Sequence, residues 1–409
     1  MRIKSIFAAV CAAACTLSLV SCSNPLKKEK ISLTVWNMED QDFLEKMGNE
    51  FAEKYKNDAE IEIIIGDKPE SSMTEFIQQH PDEAPDILYF ADDQFEQFAN
   101  ADYLLPVVNK NDIIEENGGS KAGVLKAVYT NGKYYAYPLT AGNGYFLYYN
   151  AEYFDESDVQ KLDDILDIAA ENGKYFAMDW SSGWYTYSFF GGAGLFAESN
   201  VLCTFNTCNW NTTTEKYSGV DVCKAMLDIS KSKGFRNCVN DDFLAGAKDG
   251  SVIALVSGQW DAGNLADAWG DNLRAAKLPT YTINGNQEQM AAFIGYKYAG
   301  VYSGSKNAEW AGKFAAFISD YDHQVQRFGI TGECPSNVKA MAADDVQKSA
   351  AVVALAEQAP FSVQQKLADA YWTPASTLGT LLASGNPDNI DLQELLDETV
   401  EQITAMPEE

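Results

Sequence analysis

Strand-like and helix-like runs alternate from residue 31 onward, and that alternation constrains the fold more than any other feature. ISLTVWNM reads as a strand, and the residues after it place Phe43, Met47, Phe51 and Tyr55 four apart on one helix face. IEIIIGD is a second strand, SSMTEFIQQH a short helix, and DILYF a third strand running into the helical DQFEQFA. A strand that returns through a helix to a parallel neighbour does so right-handedly, so the pattern predicts βαβ units on a mainly parallel sheet covered on both faces. Ligands of such sheets gather at loops beyond the strand C-terminal ends.

A second α/β section begins after residue 145. VQKLDDILDIAAENG predicts an amphipathic helix, KYFAMD a strand, and SVIALVSG an apolar strand of the buried type ending at Gln259-Trp260-Asp261. FIGYKYAGVYSG is strand-like again and precedes the helix NAEWAGKFAAFISD; residues 344–404 are mostly helical, broken at Pro360, Pro374 and SGNPDN. The chain has 409 residues, and single cores stop growing near ~250–300 residues. Two compact α/β lobes are the simplest expectation. GKYYAYPLTAGNGYFLYYN (132–150) stands out, with strand-forming runs Lys133 to Leu139 and Tyr145 to Asn150 on either side of a Gly-Asn-Gly loop. It is too aromatic for a solvated hairpin.

The first 21 residues read as a targeting segment, with basic Arg2 and Lys4 and an apolar run from Ile6 to Val20 too short for a confident span. Leu19-Val20-Ser21-Cys22 matches a bacterial lipobox, which predicts a diacylated Cys22 and a short tether over 22–30 on the outer face of the membrane. The 30 Lys and Arg against 59 Asp and Glu give a net charge of −29, which excludes a basic nucleic-acid groove. With His80 and His323 as the only histidines, and no cysteine pair at zinc spacing, no metal site or catalytic triad is expected; both histidines read as solvated surface residues. No cofactor is expected. Cys203, Cys208, Cys223, Cys238 and Cys334 remain in the mature chain; their pairing is unreadable, and most read as buried thiols.

Two constellations bear on function. The carboxylate pairs Glu39-Asp40 and Asp92-Asp93 follow strand ends, where helix capping, hydroxyl binding and glycosidase chemistry are all open. Trp36, Phe90, Tyr145 and Trp260 sit at or just beyond strand ends, while Trp184-Tyr185 and Tyr371-Trp372 lie in loop-to-helix contexts. Any one ring could be core. Together, beside Asp93, Gln94, Asn143 and Asp261, they offer stacking faces and hydroxyl partners that a sugar requires.

Those residues resemble the extracellular solute-binding proteins of ABC importers, in particular the maltose/maltodextrin group. The likeness rests on APDILYFADDQFEQFANADYLLPV, NGKYYAYPLTAGNGYFLYYNAEYF, FLAGAKDGSVIALVSGQWDAGNL and FIGYKYAGVYSGSKNAEWAGKFAAFI in that order, behind the lipobox. It implies a two-lobed periplasmic-binding-protein-like fold, with 31–141 plus 297–342 as one lobe and 142–296 plus 343–409 as the other. Crossovers would fall near 141–145, 294–299 and 340–350, with the Gly-Asn-Gly loop facing the cleft. It also implies a monomer that captures an oligosaccharide, most simply a maltodextrin, and hands it to membrane permease subunits without catalysis. Ligand contacts carry over to Trp36, Glu39, Asp40, Phe90, Asp93, Gln94, Trp184, Tyr185, Trp260 and Trp372. The chain departs from the maltose pattern at Gln94, where an arginine is usual, and at Gly142-Asn143, where the crossover carries a glutamate. Both departures remove a charged partner for hydroxyls. Rival readings are a cell-surface glycoside hydrolase and a receptor for a peptide or polyamine.

Overall fold

The computed structural model describes residues 28–37, 40–66, 73–200 and 204–406. Ten strands form one mixed sheet. In chain order they are β1 (Glu29–Trp36), β2 (Ala59–Gly66), β3 (Ile87–Ala91), β4 (Tyr137–Asn150), β5 (Tyr175–Met178), β6 (Phe235–Asn237), β7 (Val252–Gly258), β8 (Leu273–Ala276), β9 (Ala292–Val301) and β10 (Ser362–Gln364). Their spatial order is β6-β5-β7-β4-β9-β3-β1-β2, with β8 beside β4 and β10 beside β9.

The expected βαβ units occupy the two wings. β1 pairs with β2 and β3 in parallel, and β5 pairs with β6 and β7 in parallel. The centre is antiparallel: β4 pairs with both β7 and β9, and β9 with β3. These wings belong to different cores. One core gathers Leu33, Phe43, Phe51, Phe90, Tyr137, Tyr298 and Phe314 around β1–β3. On the other wing, alternate residues of β4 serve opposite faces, with Tyr145, Leu147 and Tyr149 entering one cluster and Phe146 and Tyr148 another. β7 is buried at every position because both faces are covered, which is why its sequence is a continuous apolar run.

The Gly-Asn-Gly loop expected at 142–144 does not form. β4 runs unbroken through it for 14 residues, nearly all buried. The glycines serve close packing instead. Gly142 has φ +112°, and a Cβ there would meet Leu355 at 2.4 Å; at Gly144 a Cβ would meet the Phe293 carbonyl at 2.9 Å. The turn that does form is one step earlier, where Asn131-Gly132, both at positive φ, link the short ladder Tyr129–Thr130 to Lys133–Tyr134.

Three chain segments cross between the wings side by side: β4, β9 and residues 333–336. The third joins through Ala141 N–H to the Cys334 carbonyl at 3.1 Å and Ser336 N–H to the Leu139 carbonyl at 3.3 Å.

Candidate functional site

Asp40 after β1, Asp92 after β3, Gln259 after β7 and the start of helix Gly183–Gly192 meet near these crossings. Tyr145 anchors the second wing's contribution. Its hydroxyl donates to the Trp184 carbonyl at 2.8 Å and accepts from Ser188 Oγ at 3.1 Å. Around it stand Trp184 and Tyr185, with ring centroids 4.6 and 4.9 Å away. Trp260 lies 5.6 Å from Trp184 at a shallow tilt. Its ring folds back over Gly258, where a Cβ would sit 2.0 Å from Trp260 Cη2, so only glycine permits this placement. Trp184 and Trp260 are half-buried, and the Trp184 Nε1 is shielded without a hydrogen-bond partner. Trp372 joins from the helix Trp372–Ala383, resting edge-on against Tyr371 and Phe293 and lining a cavity of about 530 Å³ with Thr373, Ser376 and Thr380.

The first wing supplies polar groups. Asp92 and Asp93 open a short turn after β3, and neither side chain caps a helix. Asp93 Oδ2 accepts from Gln365 Nε2 at 2.7 Å, while its Oδ1 is buried without a partner, as is Gln94 Oε1. Burial pushes the Asp93 carboxyl up to about 6; Gln365 opposes the shift, and the charge of Asp369 adds to it. Asp92 accepts from Gln364 Nε2 at 2.9 Å and from Tyr296 N–H at 3.3 Å. Burial, reinforced by Asp93, pushes Asp92 up to about 8.

Behind these lies a fully buried charge cluster. Arg327 Nε donates to Asp40 Oδ2 at 2.7 Å, its Nη2 lies 2.7 Å from Glu333 Oε2, and its Nη1 reaches Thr140. Tyr89 donates to the same Asp40 oxygen at 2.8 Å, and Lys297 approaches Glu333 at 3.9 Å. Burial alone would raise Glu333, but Arg327 and Lys297 hold it down at about 2. Each crossing segment contributes one member: Thr140 from β4, Lys297 from β9 and Glu333 from the third.

Among the described residues, cavities open between the wings. One, of about 640 Å³, is bounded by Gln78, Asp93, Gln97 and Asn100 on one side and Ala368 and Asp369 on the other. The second, of about 670 Å³, sets Asp40, Asp42 and Glu333 opposite Trp260, Asn264 and Asp267.

The expected site residues therefore separate into groups. Tyr145, Trp184, Tyr185 and Trp260 come together, and Asp93 and Gln94 present shielded oxygens without partners. Asn143 is 9% exposed within β4, opposite Gly295. Trp36 is buried edge-on against Phe76. Phe90 is not at the cleft: it is fully buried between Phe98 and Tyr298. Asp40 stands at the N-cap position of Gln41–Lys54 but makes no side-chain cap, since Arg327 and Tyr89 take its carboxylate. Asp261 is buried and accepts from Ser257 at 2.5 Å. Glu39, Cys22 and Cys203 lie outside the described residues; Cys208, Cys223, Cys238 and Cys334 carry free thiols. His80 is exposed as expected, but His323 is 8% exposed, its Nδ1 held by Asp320 at 2.6 Å and its ring against Phe317. Gln364, Gln365, Asp369 and Gln97 were not anticipated. Their only sequence signal is the polar pair Gln364-Gln365 in an extended run just ahead of Tyr371-Trp372.

Comparison with known proteins gives a consistent picture. A profile of the bacterial extracellular solute-binding proteins matches residues 46–354. No curated protein sequence matches significantly. Among solved structures, a chain determined with acarbose aligns at TM-score 0.78 and 25% identity, over 92% of this chain and 99% of its own. The unliganded maltodextrin-binding protein MalE1 of L. casei BL23 aligns at 0.74 and 22%, over 91% and 99%. A Thermus thermophilus maltotriose-binding protein bound with maltotriose aligns at 0.74 and 18%, over 91% and 99%. These last two identities speak for the fold alone.

Proposed function

This chain belongs to the bacterial extracellular solute-binding proteins, and from that premise we propose that it is a receptor that captures an oligosaccharide, most simply a maltodextrin, for an ABC importer. The observation that carries the reading is the cluster of Tyr145, Trp184, Tyr185 and Trp260 at the C-terminal end of β7, with Trp260 lining a cavity shared with Asp40 and Asp42 of the other wing. Sugar rings offer apolar C–H faces to such aromatics and hydroxyls to such acceptors. The two lobes would follow the expected 31–141 plus 297–342 and 142–296 plus 343–409 except that they part at the third crossing, at 333–336 rather than 340–350, and they would close on the sugar and present it to the permease. The solved relatives support the same class, being a chain determined with acarbose, a maltodextrin-binding protein and a maltotriose-binding protein.

The chain performs no chemistry in this reading. Asp40, Glu333 and Asp261 are tied to Arg327, Tyr89 and Ser257, which leaves none of these three as a free acid or base. A monomer held by the lipid on Cys22 at the outer face of the membrane completes the proposal. Melting the soluble body with a glycan panel tests it, because a ligand of the folded state stabilises by RT ln(1 + [L]/Kd). Maltodextrins should raise the melting temperature in proportion to the logarithm of concentration, and long incubation should release no new reducing ends. A panel in which only peptides or polyamines stabilise would replace the sugar reading. For the anchor, Cys22→Ser should shift the protein from the detergent phase to the aqueous phase, and unchanged partition would remove it.

A further inference from the structure

Among the described residues, neither of these two cavities is lined by a lysine or an arginine. In the first, Gln97 Nε2 reaches Asp369 Oδ2 at 3.4 Å, and Asp369 acts on Asp93 strongly enough to raise its carboxyl. Lys366, three residues before Asp369, directs its charge at Glu96 and lines neither cavity. In the second, Asp40 and Glu333 are compensated from behind by Arg327 and Lys297, so the open charge belongs to Asp42 and Asp267. Asp369, Asp42 and Asp267 are exposed to the cavity solvent. Gln94 is neutral, and its own oxygen is buried without a donor. Among the described residues the two cavities offer carboxylates, amides and, in the second, the Trp260 ring, with no cation, and such surfaces are not neutral toward charge on a ligand.

We propose that the cleft discriminates among oligosaccharides by charge, favouring those that carry a protonated amine over neutral ones of equal length and rejecting those that carry a carboxylate, with Asp369 as the specificity-determining residue. The proposal rests on the oligosaccharide reading above. An ammonium between Asp93 and Asp369 makes charge-assisted hydrogen bonds to two acceptors and relieves their mutual repulsion. A uronate brings a third like charge into the same space, and rejection by like charge is how a site excludes a near-isosteric competitor. Protonating Asp93 on acidification should shrink the preference.

The test is a calorimetric titration with maltotriose, a 6-amino-6-deoxy maltotriose and a maltotriose bearing one glucuronate, near neutral pH and at low salt. The amine should bind about 5-fold or more tighter than maltotriose and the uronate about 10-fold or more weaker. In Asp369→Asn, with folding verified by its melting curve, the amine-to-neutral ratio should fall to within about 2-fold. If maltotriose binds and all three ligands bind alike, the charge proposal is overturned while the sugar reading stands. If the amine binds and maltotriose does not, the charge proposal holds and the neutral-glucan assignment is lost. If none binds to folded protein, both are overturned.

Discussion

Trp260 and Trp372 are the rings whose role a substitution can decide, because each is half-buried and each touches a cavity. As stacking platforms, either one truncated to Ala should weaken glycan binding by roughly 10- to 100-fold, about 1.4–2.8 kcal/mol. As core, the same change should cost about 3–5 kcal/mol of folding stability with Kd unchanged in the folded fraction. Calorimetric titration beside ligand-free melting curves separates the two. Asp92 gives a second prediction at this scale. Its carboxyl is raised from 3.8 unfolded to about 8 folded by burial and Asp93, with Tyr296 and Tyr298 as its other titratable neighbours. Between those values the folded state binds the extra proton, so stability should rise as pH falls from about 8 toward 4, by up to ~1.4 kcal/mol per pH unit for one proton. Asp92→Asn should flatten that slope relative to wild type in pH-stepped urea melts; parallel slopes would show that Asp92 is not responsible. The sequence made the aromatic character of the strand ends legible but not the direction of each ring. DILYF is apolar throughout, so nothing in it tells Phe90, turned into the core, from a residue turned to the cleft. Likewise Asp40 reads as a cap until Arg327, 287 residues away, is placed beside it.

The three crossing segments behave as one element, because Arg327, Lys297 and Thr140 tie them to Glu333 and Asp40 on the side of the first core. Beyond that knot the strands are held by close packing at Gly142, Gly144 and Gly295, where side chains or backbone from neighbouring segments leave no room for a Cβ. Removing one partner of a buried ionic cluster leaves the others uncompensated, so Arg327→Met should cost about 3–5 kcal/mol in chemical denaturation near neutral pH. A loss under about 1 kcal/mol would mean that water reaches Asp40 and Glu333 after all. The wing elements were legible from periodicity, since Phe43, Met47 and Phe51 do share the buried face of Gln41–Lys54. The crossing was misread as a loop for a physical reason. Gly-Asn-Gly has no intrinsic strand preference, and it becomes a strand only because β9 pairs with it across a bulge at Gly295-Tyr296.

At the scale of the molecule, the apolar core of one wing and the two clusters of the other are joined by strands rather than by a broad hydrophobic face, and the polar cavities lie between the wings. Direct side-chain bonds between the wings cluster near the crossings: Gln364 with Asp92, Gln365 with Asp93, and Gln259 with the Cys334 backbone N–H at 2.5 Å. Bonds so close to the crossings can persist through a small rotation, whereas the walls carrying Asp42 and Asn264, farther out, must approach or separate. A glycan touching both walls favours the closed arrangement by its differential affinity alone. Saturating maltodextrin should therefore reduce the radius of gyration of the soluble body in small-angle scattering. The same addition to Trp260→Ala, at a concentration that leaves it unliganded, should not. Superimposable curves with and without ligand, under conditions where calorimetry shows binding, would mean that the receptor takes its sugar in a cleft already closed, and the permease would then have to recognise something other than a change in shape.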